Sequence, residues 1–387
     1  MEWWLAMKLL VDPEIFFYGR CGMVRYYSAL FRELERRGVS IDMPLLLSES
    51  DFMAGKFQFA ERGKKLLGQG LAWRLFKGAV NRASKKWYHR KVKQGRYDAV
   101  FITSAGFEDH FLTHLPAGKP SLMVVHDTMR CVQGPDGLYD PSGHNADRLA
   151  YLIPRVSTVI AISNQTKRDI LALTGAKEQL EEDHIKVIHT GNLLSLDAET
   201  AGRPVEGLPE RYLLFVGDRT GRKNFRFFVQ SISNWLLEEE TGLNLVCTGR
   251  TNKWEQALLE RLGIQDRVAF VEAPDETLVH LYKNALGLIF PSLYEGFGLP
   301  VLEAMSLGCP VLTSKAGALL EVGGDAAVYV DPSDADSILA GVKSLVSSPE
   351  YRQQLIRKGL AQSQKFTLSN MADLFLQEIE QTITATT

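Results

Sequence analysis

Nowhere in the chain does an uninterrupted apolar run reach the roughly 20 residues that a membrane-spanning helix needs, so no transmembrane anchor is expected. The stretch Trp3-Trp4-Leu5-Ala6-Met7 follows Glu2 and runs into Lys8, with neither a basic leader nor a small-residue cleavage site. No secretory signal of the usual kind is therefore expected, and the expected location is cytoplasmic. Cysteine is sparse: Cys21, Cys131, Cys247 and Cys309 lie far apart with no C-x-x-C pair, which argues against a zinc site and against a disulfide framework. No G-x-G-x-x-G follows any predicted strand, which counts against a hydride-transferring dehydrogenase. No residue stands out as a covalent nucleophile.

What is present is ordinary in bulk and uneven in detail. At 387 residues the chain exceeds one core of usual size, so two domains are expected, and 45% apolar with 23% charged residues describes a soluble globular protein. The net charge of −2 hides a basic segment. Lys56 to Arg96 holds thirteen Lys/Arg and one acid, Glu61, interleaved with Trp73, Leu75, Phe76, Trp87 and Tyr88. Such a basic amphipathic stretch suits an anionic membrane surface or a polyanionic partner. It also suits a solvated helix whose aromatics pack on the core, and periodicity does not choose between these.

Short apolar runs alternate with helix-length stretches, the pattern of α/β proteins with parallel sheets. The runs are Lys8–Asp12, Ile41–Leu47, Asp98–Thr103, Ser121–Val125, Thr158–Ile162 and Ile185–Ile188, then Tyr212–Val216, Leu243–Cys247, Val268–Val271, Leu286–Phe290, Pro310–Thr313 and Ala327–Val330. Being nearly continuous, they read as strands buried on both faces. Asp197 to Pro209 reads as the linker. Phe225, Phe228, Val229, Ile232 and Leu236 show helical spacing, as do Met371, Leu374, Phe375 and Ile379 in a last helix beyond the needs of the second sheet. The expected division is residues 1–200, 201–366, and a terminal helix 367–387 packing back toward the first domain.

Four segments carry candidate chemistry. In Glu295-Gly296-Phe297-Gly298-Leu299-Pro300-Val301-Leu302-Glu303 a glycine-bearing loop leads from a buried strand into a helix, with Pro300 placed for its first position. The backbone N–H groups of such a start attract a diphosphate. Glu303, expected in the first turn, suits a ribose diol or merely complements the helix dipole; Glu295 is free to reach a sugar hydroxyl or is a solvated loop acid. Gly217 to Asn224 repeats the strand–turn–helix pattern with Arg219, Arg222 and Lys223, cations able to neutralise a leaving diphosphate without a metal, or plain surface charges. His126-Asp127 follows a buried strand, where a lone histidine is more often a packing or capping residue than a catalytic one, and Asp127 either supports it or forms a turn. Gly22 opens the first long helix after Gly19-Arg20-Cys21. Asp334-Ala335-Asp336 has the form of a metal-binding D-x-D, but its place before Ile338–Leu345 makes it a helix cap, as Ser163 is for another helix.

Glu295 and Glu303, eight positions apart, resemble the E-x7-E signature of retaining glycosyltransferases, especially glycosyltransferase family 4. The resemblance implies a GT-B fold: two Rossmann-like domains with parallel sheets facing across a cleft, the first for acceptor and the second for donor. It implies that Glu295 faces the donor sugar, Glu303 holds the nucleotide ribose, Arg219 and Lys223 contact the diphosphate, and Arg222 faces solvent. It also implies that His126 contacts the transferred sugar, with Gly22 and the backbone of Gly296, Phe297, Gly298 and Leu299 around the donor. The implied reaction is front-face attack by an acceptor hydroxyl with retained configuration, the departing diphosphate taking the proton; no cofactor and no metal are expected. Arg25-Tyr26-Tyr27 and His189-Thr190-Gly191-Asn192-Leu193 resemble bacterial transferases of surface-polysaccharide assembly, often mannosyltransferases. GDP-mannose is then the expected donor and a saccharide or lipid-linked saccharide the acceptor, with the enzyme peripheral at the inner membrane face; nucleic acid is not an expected partner. A catalytically weak sugar-nucleotide-binding protein, or another GT-B enzyme such as a nucleotide-sugar epimerase, is the alternative.

Overall fold

Parallel strands buried on both faces need helices on both sides, and the chain supplies them twice. The computed structural model describes residues 7–18, 21–48, 70–103, 111–131, 144–178, 182–194, 204–219, 221–238 and 242–386. They form two units, Met1–Leu193 with Leu368–Thr387, and Leu194–Thr367. Much of the predicted linker, residues 197–203, lies outside the described residues, as do Lys56, Arg62, Lys64 and Lys65 of the basic segment.

The first unit contains β1 (Lys8–Val11), α1 (Gly22–Arg36), β2 (Ser40–Asp42), α2 (Leu71–Gln94), β3 (Ala99–Ile102), β4 (Ser121–Val125), α3 (His144–Leu152), β5 (Thr158–Ala161), α4 (Asn164–Glu178) and β6 (Ile185–Val187). All strands pair in parallel in the order β2-β1-β3-β4-β5-β6. β2 is shorter than the apolar run Ile41–Leu47 indicated. Pro44 offers no N–H to a ladder. Leu45 and Leu47 are buried without pairing, and Leu47 packs with Trp73 of α2.

The basic helix α2 has two different faces. Trp73, Ser84, Tyr88 and Val92 are buried, and the Ser84 hydroxyl accepts from the Leu46 N–H at 3.1 Å. Lys85 pairs with Glu14 at 2.7 Å and Lys91 with Asp42 at 2.6 Å. Leu71, Leu75, Phe76 and Trp87 are exposed, among exposed Arg74, Arg82, Lys86, Arg90 and Lys93.

The second unit runs β7 (Tyr212–Phe215), α5 (Phe225–Leu236), β8 (Asn244–Thr248), α6 (Lys253–Leu262), β9 (Val268–Val271), α7 (Asp275–Asn284), β10 (Gly287–Phe290), α8 (Leu299–Ser306), β11 (Val311–Ser314), α9 (Leu319–Gly323), β12 (Ala327–Val330), α10 (Ala335–Ser347) and α11 (Pro349–Ser363). Its parallel order is β12-β11-β10-β7-β8-β9. Chain direction along the sheet therefore reverses between β7 and β10, the switch point beyond whose strand ends open α/β sheets bind ligands. All five predicted apolar positions of α5 are fully buried. β9 departs from the expectation of two buried faces: as an edge strand it is only half-buried along its length.

The last helix, α12 (Leu368–Thr386), belongs to the first unit and packs on α1. Phe375 meets Tyr26 and Phe101 at 6.5 and 5.9 Å between ring centres, and Thr382 bonds Thr158 at 2.7 Å. Arg37 of the α1 end reaches Asp373 at 3.2 Å and Ser369 at 3.0 Å. Leu374, grouped with the buried positions by its spacing, is 44% exposed. It falls beside the buried stripe rather than in it. Replacing Phe375 by Ala should cost about 3–5 kcal/mol of stability and Leu374→Ala less than about 0.5 kcal/mol, read by thermal melting. Equal losses would mean that the helix does not dock through this face.

Candidate functional site

Because β7 and β10 are neighbours, the turn after β7 and the loop after β10 meet although some seventy residues of chain separate them. The Leu293 N–H donates to the Arg222 carbonyl at 2.8 Å, stitching the two together. Gly217, at φ +106°, makes the sharp exit from β7 and donates its N–H to the Thr248 hydroxyl at 3.0 Å. Asn224, at φ +61°, stands just before α5, and its amide donates to the Pro332 carbonyl at 2.7 Å. Between these fixed points Lys223 is turned inward. Its ammonium lies 2.8 Å from Glu295 Oε1 and 4.2 Å from the centre of the Phe290 ring.

Glu295 is thus not a solvated loop acid: it is 6% exposed, and Lys223 is 9% exposed. Burial pulls the Lys223 ammonium below its ordinary pKa, and the adjacent Glu295 carboxylate opposes that pull. Arg222, expected to face solvent, is largely covered and reaches to 3.9 Å of the same carboxylate oxygen. Two cations therefore flank one buried acid, and the Asp218 carboxylate also favours the charged form of Lys223.

Arg219 does not join them. Its Nε and Nη2 donate to the two Glu255 oxygens at 2.8 and 3.2 Å, Nη1 donates to the Thr248 carbonyl, and Nη2 also to the Arg250 carbonyl. Its guanidinium lies 5.1 Å from the Phe270 ring centre. Glu255, 1% exposed, is itself fixed by a capping box, its carboxylate accepting from the Asn252 N–H at 3.1 Å while the Asn252 side chain accepts from Glu255 N–H. With all three nitrogens engaged, Arg219 is a tie between the β7 turn and the β8–α6 loop.

Glu303 lies one residue deeper in its helix than expected, just past the first turn. α8 starts at Leu299 behind Gly298 at φ +116°, so Pro300 is its second residue and Glu303 its fifth. An acid past the first turn gains little from the helix dipole, which removes that account of it. Glu303 is 3% exposed, and Oε2 accepts from the hydroxyl of fully buried Tyr282 at 3.1 Å. Phe297 is packed inward against Phe366. A Cβ on Gly298 would lie 2.8 Å from Leu319 Cδ2. The backbone of Glu295 is clamped from the other side: Ala318 N–H donates to its carbonyl at 2.9 Å, and a Cβ on Gly317 would lie 2.2 Å from that oxygen. Gly296 and Leu299 complete the loop, buried and half-buried.

In the first unit His126 follows β4, with Tyr26 and Tyr27 of α1 edge-on to its ring at 4.7 and 5.2 Å. Burial pushes its pKa down to about 4, so at neutral pH it is an uncharged imidazole, suited to a hydroxyl rather than to a phosphate. Its Nε2 and both tyrosine hydroxyls are buried without a hydrogen-bond partner. Asp127 accepts from the Met129 N–H at 3.1 Å, the turn-forming geometry. Gly22 begins α1, and nothing lies within 4 Å of a Cβ placed there, so the packing shown does not itself demand glycine. Ser163 caps α4 by accepting from Thr166 N–H at 3.0 Å, and Asp334 caps α10 by accepting from Asp336 N–H at 2.9 Å, which takes the D-x-D into a helix start. Among the described residues no group of three or more His, Cys, Asp or Glu could hold a metal ion.

Sequence reading missed Tyr282, Glu255 and Gly317, which act through the residues it named, and misjudged Arg222. The Arg222-Lys223 dipeptide was the one available signal for the last, since adjacent residues at a tight turn can share a partner.

Residues 200–362 match the family model of Glycosyl transferases group 1, and residues 21–192 that of Glycosyltransferase Family 4. The chain is 30% identical over 251 residues to O-antigen chain mannosyltransferase B of Escherichia coli, a match covering 59% of this chain and 64% of that protein, just under two thirds of its length. Among solved structures, a sucrose-phosphate synthase from Thermosynechococcus elongatus superposes with a TM-score of 0.73 at 19% identity, over 98% and 99% of the two chains. Anabaena Alr3699/HepE in complex with UDP and glucose superposes with a TM-score of 0.65 at 16% identity, over 97% and 100%. At these identities the superpositions speak for the fold alone.

Because removing one partner of a buried ion pair strands the other, Arg219→Ala should destabilise the second unit by about 3–5 kcal/mol. Urea unfolding followed through that unit would measure it. An unchanged midpoint together with lost nucleotide binding would return Arg219 to the ligand.

Proposed function

The chain belongs to the family 4, group 1 glycosyltransferases, and on that premise we propose that it transfers a hexose from a nucleoside-diphosphate sugar to a saccharide or lipid-linked acceptor in surface-polysaccharide synthesis. Mannose is the first candidate, since the Escherichia coli relative is a mannosyltransferase, and GDP-mannose the corresponding donor. The observation that carries the reading is the buried Lys223–Glu295 pair at the β7/β10 switch point, with Arg222 beside it and the start of α8 on the same loop.

In this reading Lys223 and Arg222 meet the diphosphate, and Glu303 accepts hydrogen bonds from the ribose diol. Glu295, clamped by Gly317 and Ala318, faces the hexose. The bond from the anomeric carbon to the diphosphate breaks while the acceptor oxygen bonds on the same face, which retains configuration; a diphosphate oxygen takes the acceptor proton. Charge growing on the leaving group is met by two preplaced cations and the positive end of α8, so no metal is needed. His126, uncharged, hydrogen-bonds a sugar hydroxyl. A catalytically weak sugar-nucleotide-binding protein would use the same groups for binding, and measured turnover separates the two readings.

Glu295→Gln keeps the shape of the side chain and should lower kcat at least 100-fold, roughly what the loss of one preorganised polar group costs, with activity of the native enzyme unchanged in chelator. Near-normal turnover of the variant would sink the site; a requirement for divalent metal would sink the metal-free mechanism. Glu295→Ala is a poorer test, because it leaves Lys223 buried and unpaired.

The exposed face of α2 supports the peripheral-membrane part of the proposal, since Leu71, Leu75 and Phe76 offer apolar contact beside five exposed cations. Each cation near an anionic surface contributes about 1 kcal/mol. Changing Arg74, Arg82, Lys86 and Arg90 to Gln should weaken sedimentation with anionic liposomes roughly tenfold or more, and salt should weaken that of the native chain. Equal pelleting of both, or none of either, would make α2 a solvated surface.

A further inference from the structure

A glutamate that grips a vicinal diol must present its carboxylate in one plane, yet the terminal torsion of a glutamate is broad and nearly free. Helix α8 fixes where the Glu303 side chain starts, not how its carboxylate is turned. The Tyr282 hydroxyl supplies that second constraint, donating to Oε2 at 3.1 Å from a helix separated from α8 by a whole strand and loop. The donor is itself held. Tyr282 is fully buried, and the carbonyl of the preceding residue, Leu281, accepts from the hydroxyl of buried Tyr212 at 2.9 Å, which ties the end of α7 to β7. A tyrosine hydroxyl has one proton to give, whereas a carboxylate has about four acceptor sites, so this bond orients the group without exhausting it.

We propose that Tyr282 is a positioning residue for ribose recognition, its hydroxyl setting the plane in which Glu303 meets the nucleotide diol. This rests on the reading of Glu303 given above. Phenylalanine at 282 would keep the ring and its packing and remove only the donor. Glu303 would then lose the hydrogen bond that sets the plane of its carboxylate, and the affinity gained from the ribose hydroxyls would fall while the diphosphate contacts of Lys223 and Arg222 stayed.

The test compares each ribonucleotide with its deoxy counterpart. The nucleotide that binds most tightly among UDP, GDP and ADP is titrated calorimetrically into the full chain alongside its 2′-deoxy and 3′-deoxy forms, for native protein, Tyr282→Phe and Glu303→Gln, with melting temperatures as a folding check. Tyr282→Phe should weaken the ribonucleotide about tenfold and the deoxy forms by no more than about twofold, the loss expected for one hydrogen bond to a charged group. The preference for ribose then collapses in both variants. A purely structural bond would weaken ribo and deoxy forms alike, and an unchanged preference in Tyr282→Phe with a lost one in Glu303→Gln would overturn the positioning role alone. If Glu303→Gln keeps the preference, or no nucleotide binds the native chain, the underlying reading of the site falls, and the inference with it.

Discussion

Two opposite charges, each less than a tenth exposed, face each other where the second sheet reverses its strand order. Taking such a pair out of water is unfavourable unless its geometry is held closely, and much of the surrounding structure does that holding. The Lys223 side is set by a glycine turn and by Asn224 in a left-handed conformation; the Glu295 side is set by Gly317 and Ala318 against its backbone. The hydrogen bond from Leu293 to Arg222 joins the two sides. In the function proposed above, a diphosphate at the switch point would meet the Lys223 ammonium already oriented and already stripped of much of its water, which is the condition under which electrostatic stabilisation of a leaving group is largest.

The cations of the β7 turn divide their labour according to the partners the tertiary structure offers. Arg219 finds a carboxylate pinned by a capping box and two carbonyls, a fork-shaped receptor that only a guanidinium fills, and it becomes a strut. Arg222 and Lys223 instead flank Glu295, with the Asp218 carboxylate also acting on Lys223. His126 is kept uncharged by burial among aromatic rings.

Helix α2 illustrates the same dependence on surroundings. Its composition is compatible with a membrane-facing surface and with a core-packed one, and both occur, on opposite sides. Lys85 and Lys91 are drawn to Glu14 and Asp42, Trp73 and Tyr88 are taken into the interior, and Leu71, Leu75 and Phe76 remain outside among the other cations.

Eleven of the twelve strands among the described residues were legible in the chain to within about a residue, because a parallel strand covered on both faces is apolar at most positions and so announces itself without regard to its neighbours. The Glu295–Glu303 pair was legible for a related reason: both acids belong to one loop and the helix it opens, so their spacing along the chain is already their geometry. The exceptions mark the limit. Ile41–Leu47 looked like a strand, but its leucines serve packing, and Leu374 carried helical spacing yet points outward. Whether Arg219 or Arg222 meets the site depended on Glu255, thirty-six residues further on; the orientation of Glu303 depended on Tyr282; the placement of Glu295 depended on Gly317. Each of these is a contact between side chains or backbones that strand order alone brings together, and a spacing in sequence carries no record of which loop will lie beside it.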